Sequence, residues 1–215
     1  MPHLILLRHG QSTWNLENRF TGITDIDLSP LGIIEAKNAG ILLKQFPIDL
    51  IFTSLLKRAI HTTEIVLNEL GKNIQVIQNG ALNERCYGDL QGLNKADTIT
   101  KYGEEQVQLW RRSYETVPPN GESLKNTFER VIPFYKEKIE RKLKTKNILI
   151  IAHGNSLRAL IMYLENINAT EISNFTIATG IPRLYEFNSE MKLQNVHYIE
   201  NNNESKNKYV HYLFP

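Results

Sequence analysis

Two short apolar runs in this chain each end in a histidine followed by glycine. Leu4-Ile5-Leu6-Leu7 leads into Arg8-His9-Gly10, and Ile148-Leu149-Ile150-Ile151-Ala152 leads into His153-Gly154-Asn155. A histidine nitrogen can attack phosphorus and carry the phosphoryl group covalently, and arginine offers a planar fork of donors to phosphate oxygens. Arg8-His9-Gly10-Gln11-Ser12 therefore has the residue types for phosphoryl chemistry. Taken alone it is a weak signal, because a buried histidine can also be structural; its repetition gives it weight. Arg58, after Thr53-Ser54-Leu55-Leu56-Lys57, falls in the first turn of a helix, where anions are favoured. His61, one turn on, stays open between core, surface and ligand. Asn155 opens the helix after the second run, where its amide and side chain can donate to an anion. Glu84, in Asn83-Glu84-Arg85-Cys86-Tyr87-Gly88, is a candidate general acid and base or a surface glutamate. Arg111-Arg112, after Trp110, are a fork suited to a second anion or else a solvated helix face.

These residues need a scaffold that brings them to one edge. The Ile- and Leu-rich runs read as buried parallel strands, and strand and helix signals alternate, which argues for an α/β fold with a mostly parallel sheet. In such sheets ligands bind beyond the carboxyl ends of the strands. On a continuing strand Arg8 and His9 would point apart; Gly10 is expected to turn the chain so that both reach one ligand. The pattern predicts strands at 4–7, 49–52, 74–77, 147–152, 183–188 and 192–199. Residues 11–28 read as a loop. Ser29 caps, and Pro30 starts, a helix through Leu43. Thr53-Ser54 cap a helix over 55–70, and residues 80–95 form a Gly-rich loop. Further helices span 96–113, 122–144 (bent at Pro133) and 155–164.

At 215 residues, with 41% apolar and 22% charged side chains, the chain reads as one soluble globular domain, or one domain with an insertion, over 1–200 and a polar, mobile tail over 201–215. A net charge of +2 gives no nucleic-acid signature. A single cysteine, Cys86, fits a reducing compartment. The start shows no signal-peptide pattern and no apolar run is long enough to span a membrane, so a cytoplasmic protein is expected. The six histidines show no metal-ligand spacing, and no Gly-x-x-x-x-Gly-Lys-Ser/Thr loop occurs, so neither a metal nor a nucleoside triphosphate is expected.

Longer blocks carry a resemblance. Leu7-Arg8-His9-Gly10-Gln11-Ser12-Thr13-Trp14-Asn15, Asn18-Arg19-Phe20-Thr21-Gly22, Leu82-Asn83-Glu84-Arg85, Tyr87-Gly88, Leu90-Gln91-Gly92-Leu93-Asn94-Lys95 and Trp110-Arg111-Arg112 are similar to the cofactor-dependent phosphoglycerate mutases of the histidine phosphatase superfamily. So are Ala152 to Leu160 and Thr179-Gly180-Ile181-Pro182; the resemblance covers roughly residues 3–188. It implies a three-layer α/β/α sandwich around a six-stranded mixed sheet with one antiparallel strand. It implies His9 as the phosphorylated nucleophile, with Arg8, Arg58, His153 and Asn155 around the transferring group and Glu84 as proton donor and acceptor. Binding is implied for Gly10, Gln11, Ser12, Thr13, Trp14, Asn15, Thr21, Gly22, Arg85, Cys86, Tyr87, Lys95, Arg111, Arg112 and Gly154. The implied activity interconverts 3- and 2-phosphoglycerate in glycolysis and gluconeogenesis, with 2,3-bisphosphoglycerate priming His9, no metal, and a homodimer as the expected assembly. A histidine phosphatase using the same phosphohistidine is the alternative, and a non-catalytic phospho-ligand binder is a third. Two features depart from the family: a short connection, Val117 to Ser123, and an asparagine-rich end, Asn201 to Pro215.

Overall fold

A computed structural model describes residues 2–200; the predicted tail over 201–215 lies outside them. In chain order the elements are β1 His3–Arg8, α1 Thr13–Leu16, α2 Pro30–Leu43, β2 Leu50–Thr53, α3 Lys57–Leu70, β3 Gln75–Gln78, α4 Lys95–Tyr102, α5 Glu104–Arg112, α6 Leu124–Phe134, α7 Arg141–Leu143, β4 Ile148–Ala152, α8 Gly154–Leu164, α9 Glu171–Asn174, β5 Arg183–Phe187 and β6 Leu193–Tyr198. The six strands form one sheet in the order β3-β2-β4-β1-β5-β6. β1 to β4 run parallel, β5 is antiparallel to β1, and β6 is antiparallel to β5. One strand therefore opposes the other five, as the family resemblance implies.

Side chains on a strand alternate faces, and that alternation builds the two outer layers. Leu4, Leu6, Phe52, Ile148 and Ile150 pack with Val131, Ile132, Leu157 and Leu160 from α6 and α8. Ile5, Leu7, Ile51, Leu149 and Ile151 pack on the other face with Ala39, Leu43, Val66 and Leu70 from α2 and α3. The helices that follow β1 and β4 thus leave toward opposite faces. A crevice opens between these adjacent central strands at their carboxyl ends. Arg8 pairs with Ala152 in register, so His9 and His153 leave the sheet side by side.

Several sequence expectations need correction. The 11–28 segment contains the short helix α1, capped by Ser12. Thr53 and Ser54 do not cap α3. Thr53 belongs to β2, and the residue before the helix is Leu56, which makes no side-chain cap. The free amide of Lys57 donates instead to Asp25 Oδ1 at 2.7 Å. The helix over 96–113 is two helices, because Gly103 takes a φ of 83° that ends α4 and starts α5. The long helix after Ser123 passes Pro133 and then widens into a π-helical turn over Tyr135–Glu140. No helix among the described residues is long and apolar enough to cross a membrane.

Gly10 has a reason other than the turn expected of it. Its φ is not positive; a Cβ there would lie 2.2 Å from the Gly32 carbonyl oxygen. A Cβ on Gly32 would in turn lie 2.0 Å from the Gln11 carbonyl oxygen. The segment carrying His9 and the first turn of α2 therefore touch backbone to backbone, with no flexible side chain to yield. Gly32→Ala is expected to cost about 1–3 kcal/mol of stability, read by urea unfolding, and to lower turnover. Wild-type stability and turnover would show that this contact does not fix the loop.

Candidate active site

His9 is 2% exposed, and its backbone amide donates to the Ala152 carbonyl at 3.0 Å, continuing the β1–β4 ladder past the strand end. Its ring Nδ1 lies 2.6 Å from the Gly10 carbonyl oxygen. A carbonyl only accepts, so Nδ1 carries the ring proton. Nε2 then holds the lone pair, and Arg58 Nε points its N–H at it from 3.3 Å. Burial first, then the charges of Arg58 and Arg8, holds the His9 pKa well below the usual imidazole range. The ring is held neutral and its unprotonated nitrogen is fixed in direction.

The surroundings suit a transferring phosphoryl group. The buried Arg58 guanidinium is anchored on the carbonyls of Thr24 and Gly22 at 2.9 and 2.7 Å, and burial lowers its pKa to about 10, still charged at neutral pH. Arg8 donates through Nη1 to the Ile177 carbonyl at 2.7 Å. The His153 ring stands 4.9 Å from that of His9, centroid to centroid, and Nε2 of His153 meets Ser54 Oγ at 2.7 Å. Burial and then Arg58 also keep the His153 pKa well below the imidazole range. Buried polar atoms without a partner include Arg8 Nε, His153 Nδ1 and Thr21 Oγ1. Such atoms are costly to leave unmet, and an oxyanion here would satisfy them.

Glu84 is 8% exposed. Its Oε1 accepts from the amides of Arg85 at 2.8 Å and Asn155 at 3.0 Å. The Asn155 amide, expected to face an anion, is therefore already engaged in orienting the carboxyl group. Oε2 lies beside Arg8 over Gly154: a Cβ on Gly154 would meet Glu84 Oε2 and Arg8 Cζ at 3.6 Å each. The two amides on Oε1 leave Oε2 as the place for a proton. The loop bearing Glu84 is braced from outside by the short connection after α5. Asp89 N donates to Pro119 O at 3.0 Å, Glu122 N to Cys86 O at 2.8 Å, and Glu122 Oε2 accepts from Cys86 N at 2.9 Å.

A cavity opens beside this cluster; Arg8 and Glu84 belong to both, whereas His9, Arg58 and His153 are buried and do not line it. Arg8, Asn15, Thr21, Gly22, Glu84, Tyr87, Lys95, Arg111, Arg112, Gly154 and Asn155, all singled out in the sequence, line it. Burial raises the Tyr87 phenol, but the charge and hydrogen bonding of Arg85, with the Asn155 hydrogen bond, together lower it. Burial and then Arg111 lower Lys95; burial and then Arg111 lower Arg112. Arg85 does not line the cavity: it stacks 4.5 Å over the Tyr87 ring and donates to the Trp110 and Arg111 carbonyls at 2.9 and 3.0 Å. Gly10, Gln11, Ser12, Thr13, Trp14 and Cys86 are also off the wall. Gly10 donates to Thr62 Oγ1, Gln11 to Glu35 and Thr13 to the Asp27 carbonyl, so they fasten the loop. Gly92 lies against the Trp14 ring, and Cys86 Sγ accepts from Gly88 N. His61 pairs with Asp27 at 2.9 Å on a partly exposed face and is not on the wall. Arg19, Phe20, Arg158, Thr176 and Ile177 are wall residues that sequence reasoning missed. The first three stand inside the family-like blocks, whereas Thr176 and Ile177 carry no sequence signal.

A family model for the histidine phosphatase superfamily (branch 1) matches residues 4–196. The chain belongs to the histidine phosphatase superfamily. Within it, the chain is 59% identical to the 2,3-bisphosphoglycerate-dependent phosphoglycerate mutase of Cytophaga hutchinsonii, over 93% of this chain and 94% of that one. It is 52% identical to the phosphoglycerate mutase of Schizosaccharomyces pombe, over 92% and 96%. Among solved structures it is similar to a mycobacterial glucosyl-3-phosphoglycerate phosphatase, at a TM-score of 0.79 and 25% identity over 94% of this chain and 99% of that one. The α-ribazole phosphatase of Shigella flexneri gives a TM-score of 0.74 at 28% identity, over 89% and 94%.

The neutral histidines carry a signature in stability. Their unfolded-state pKa is near 6.5 and their folded-state values lie well below it. Below pH 6.5 the unfolded chain binds more protons, so this contribution is intact above that pH and is lost as the pH falls toward the folded-state values. The limiting slope is about 1.4 kcal/mol per pH unit for each histidine. Denaturant unfolding of His153→Asn between pH 7 and 5 should show a shallower fall than wild type. Equal slopes would mean that His153 is not held neutral.

Proposed function

We propose that this chain is a 2,3-bisphosphoglycerate-dependent phosphoglycerate mutase, interconverting 3- and 2-phosphoglycerate through a phosphohistidine at His9. The observation that carries the reading is the second set of cations. Lys95, Arg111 and Arg112 stand on the cavity wall with Arg8, whereas Arg58 and the nucleophile His9 are buried off it. A substrate with an anion at each end uses both sets; a simple phosphomonoester uses only the set around His9. The 50–59% identity to curated mutases supports the same choice over the phosphatases that share the fold.

Phosphoryl transfer asks a protein mainly for positioning and charge stabilisation. His9 Nε2 holds the phosphoryl group, and Arg8, Arg58 and His153 carry donors for its oxygens. The group passes to the free hydroxyl of the bound phosphoglycerate as Glu84 Oε2 takes that hydroxyl's proton. The substrate's original phosphoryl group then returns to His9, and Glu84 gives the proton to the oxygen left behind. Asn15, Thr21, Gly22, Tyr87, Lys95, Arg111 and Arg112 hold the glycerate body and carboxylate. The unmet buried polar atoms of Arg8, Thr21 and His153 fit 2,3-bisphosphoglycerate as well, and that cofactor supplies His9 with its first phosphoryl group. Excluding water keeps the phosphohistidine from hydrolysing. The expected assembly is a homodimer and the expected compartment the cytoplasm.

The test follows 3-phosphoglycerate conversion in excess chelator, with and without 2,3-bisphosphoglycerate, while inorganic phosphate is recorded. Isomerisation that depends on the bisphosphate, with little phosphate released, is expected; phosphate release without isomerisation would make the chain a phosphatase. His9→Ala should form no phosphoenzyme and show no turnover. Glu84→Gln should still bind substrate but turn over about 100-fold more slowly or worse. An unchanged rate would remove Glu84 as the proton carrier.

A further inference from the structure

Arg158 lies on α8, one turn beyond Gly154 and Asn155, and is 3% exposed. Among the described residues no carboxylate forms an ion pair with it. Its hydrogen-bond partners are all neutral: Nη1 donates to Asn155 Oδ1 at 3.0 Å, and Nη2 to the carbonyls of Arg112 at 3.0 Å and Ile172 at 2.6 Å. Nε is buried with no partner, and the residue lines the cavity. Burial, then the like charges of Arg112 and Arg85, lowers its pKa to about 10, so it stays charged at neutral pH.

A buried cation facing other cations is expensive unless an anion meets it. The fold does supply an anion to one partly buried arginine. Arg183 is held by both carboxylate oxygens of Glu165, at 3.0 and 2.9 Å. Arg85, also deeply buried and also with an unpartnered Nε, is turned onto carbonyls and the Tyr87 face, away from the cavity wall. Arg158 alone in this region combines near-complete burial, no acidic partner, an unmet donor and a place on the wall without belonging to the cluster around His9.

We infer that Arg158 is a substrate-binding residue whose missing counter-ion is the carboxylate of the phosphoglycerate. The inference rests on the mutase reading and adds a buried member to the half-buried pair Arg111 and Arg112. Its hydrogen bonds also make it a joint. One turns the Asn155 amide group toward Tyr87, whose hydroxyl lies 3.4 Å from Asn155 Nδ2. Another pins the carbonyl of Arg112 at the end of α5. A carboxylate reaching Arg158 therefore tightens the clamp and the Glu84 side of the site together.

The test compares two ligands that differ only at the carboxylate. Calorimetry on the full chain measures 3-phosphoglycerate and glycerol 3-phosphate, in which a hydroxymethyl group replaces the carboxylate. In Arg158→Gln, 3-phosphoglycerate should bind about 10- to 100-fold more weakly, the loss of one charge-assisted interaction, with glycerol 3-phosphate nearly unchanged. Arg158→Lys, which keeps the charge without the fork, should fall between and also guards against misfolding of the first variant. Equal weakening of both ligands would mean a merely structural role, and no weakening of either would mean no role; both overturn the inference. A wild-type chain that binds the two ligands equally would instead remove the mutase reading beneath it.

Discussion

A nitrogen lone pair can attack phosphorus only if no proton occupies it, and everything around His9 serves that condition. The Gly10 carbonyl fixes the ring proton on Nδ1, and the Arg58 N–H keeps Nε2 aimed without protonating it. Burial between Arg8 and Arg58 makes a second proton costly. Each partner depends in turn on backbone placed elsewhere. The Gly10 carbonyl is where it is because Gly10 and Gly32 pack without side chains. Arg58 is where it is because Gly22 and Thr24 offer it their carbonyls.

The same arrangement concentrates positive charge. Arg8, Arg58, Lys95, Arg111, Arg112 and Arg158 converge on one site whose nearest acidic group is Glu84. Glu84 offsets only part of this charge, because it is a single carboxylate set against six cations. A ligand bearing several negative charges balances this concentration of positive charge. Stability and ligand binding are linked here, since whatever binds only the folded chain also stabilises it. The short connection through Pro119 and Glu122 braces the Glu84 loop directly.

Much of this was legible in the sequence because it is local. Buried strands announce themselves by apolar runs, and the His-Gly pairs at their ends mark the sheet edge. Ser29-Pro30 starts α2 through hydrogen bonding and a preset φ, both of which depend only on neighbours. What escaped depends on contacts across long stretches of chain. Asp25 capping α3 spans 32 positions, and Asn155 turning to Glu84 spans 71. Thr176 and Ile177 reach the site only because Arg8 bonds a carbonyl 169 positions away. Gly10 was misread because a glycine needed for close packing looks in sequence like one needed for a turn. Arg158 was hidden for a related reason: nothing in a helical sequence says that a buried arginine lacks its carboxylate.

The central claim is the protonation state of His9, and nitrogen-15 NMR of the histidine rings reads it directly. In the dephosphorylated protein His9 should appear as the neutral Nδ1–H tautomer from pH 8 down to below pH 6, with Nε2 at the shift of an unprotonated ring nitrogen. An imidazolium at neutral pH, or a neutral ring protonated on Nε2, would contradict the account, because neither could accept a phosphoryl group at the nitrogen that faces Arg58.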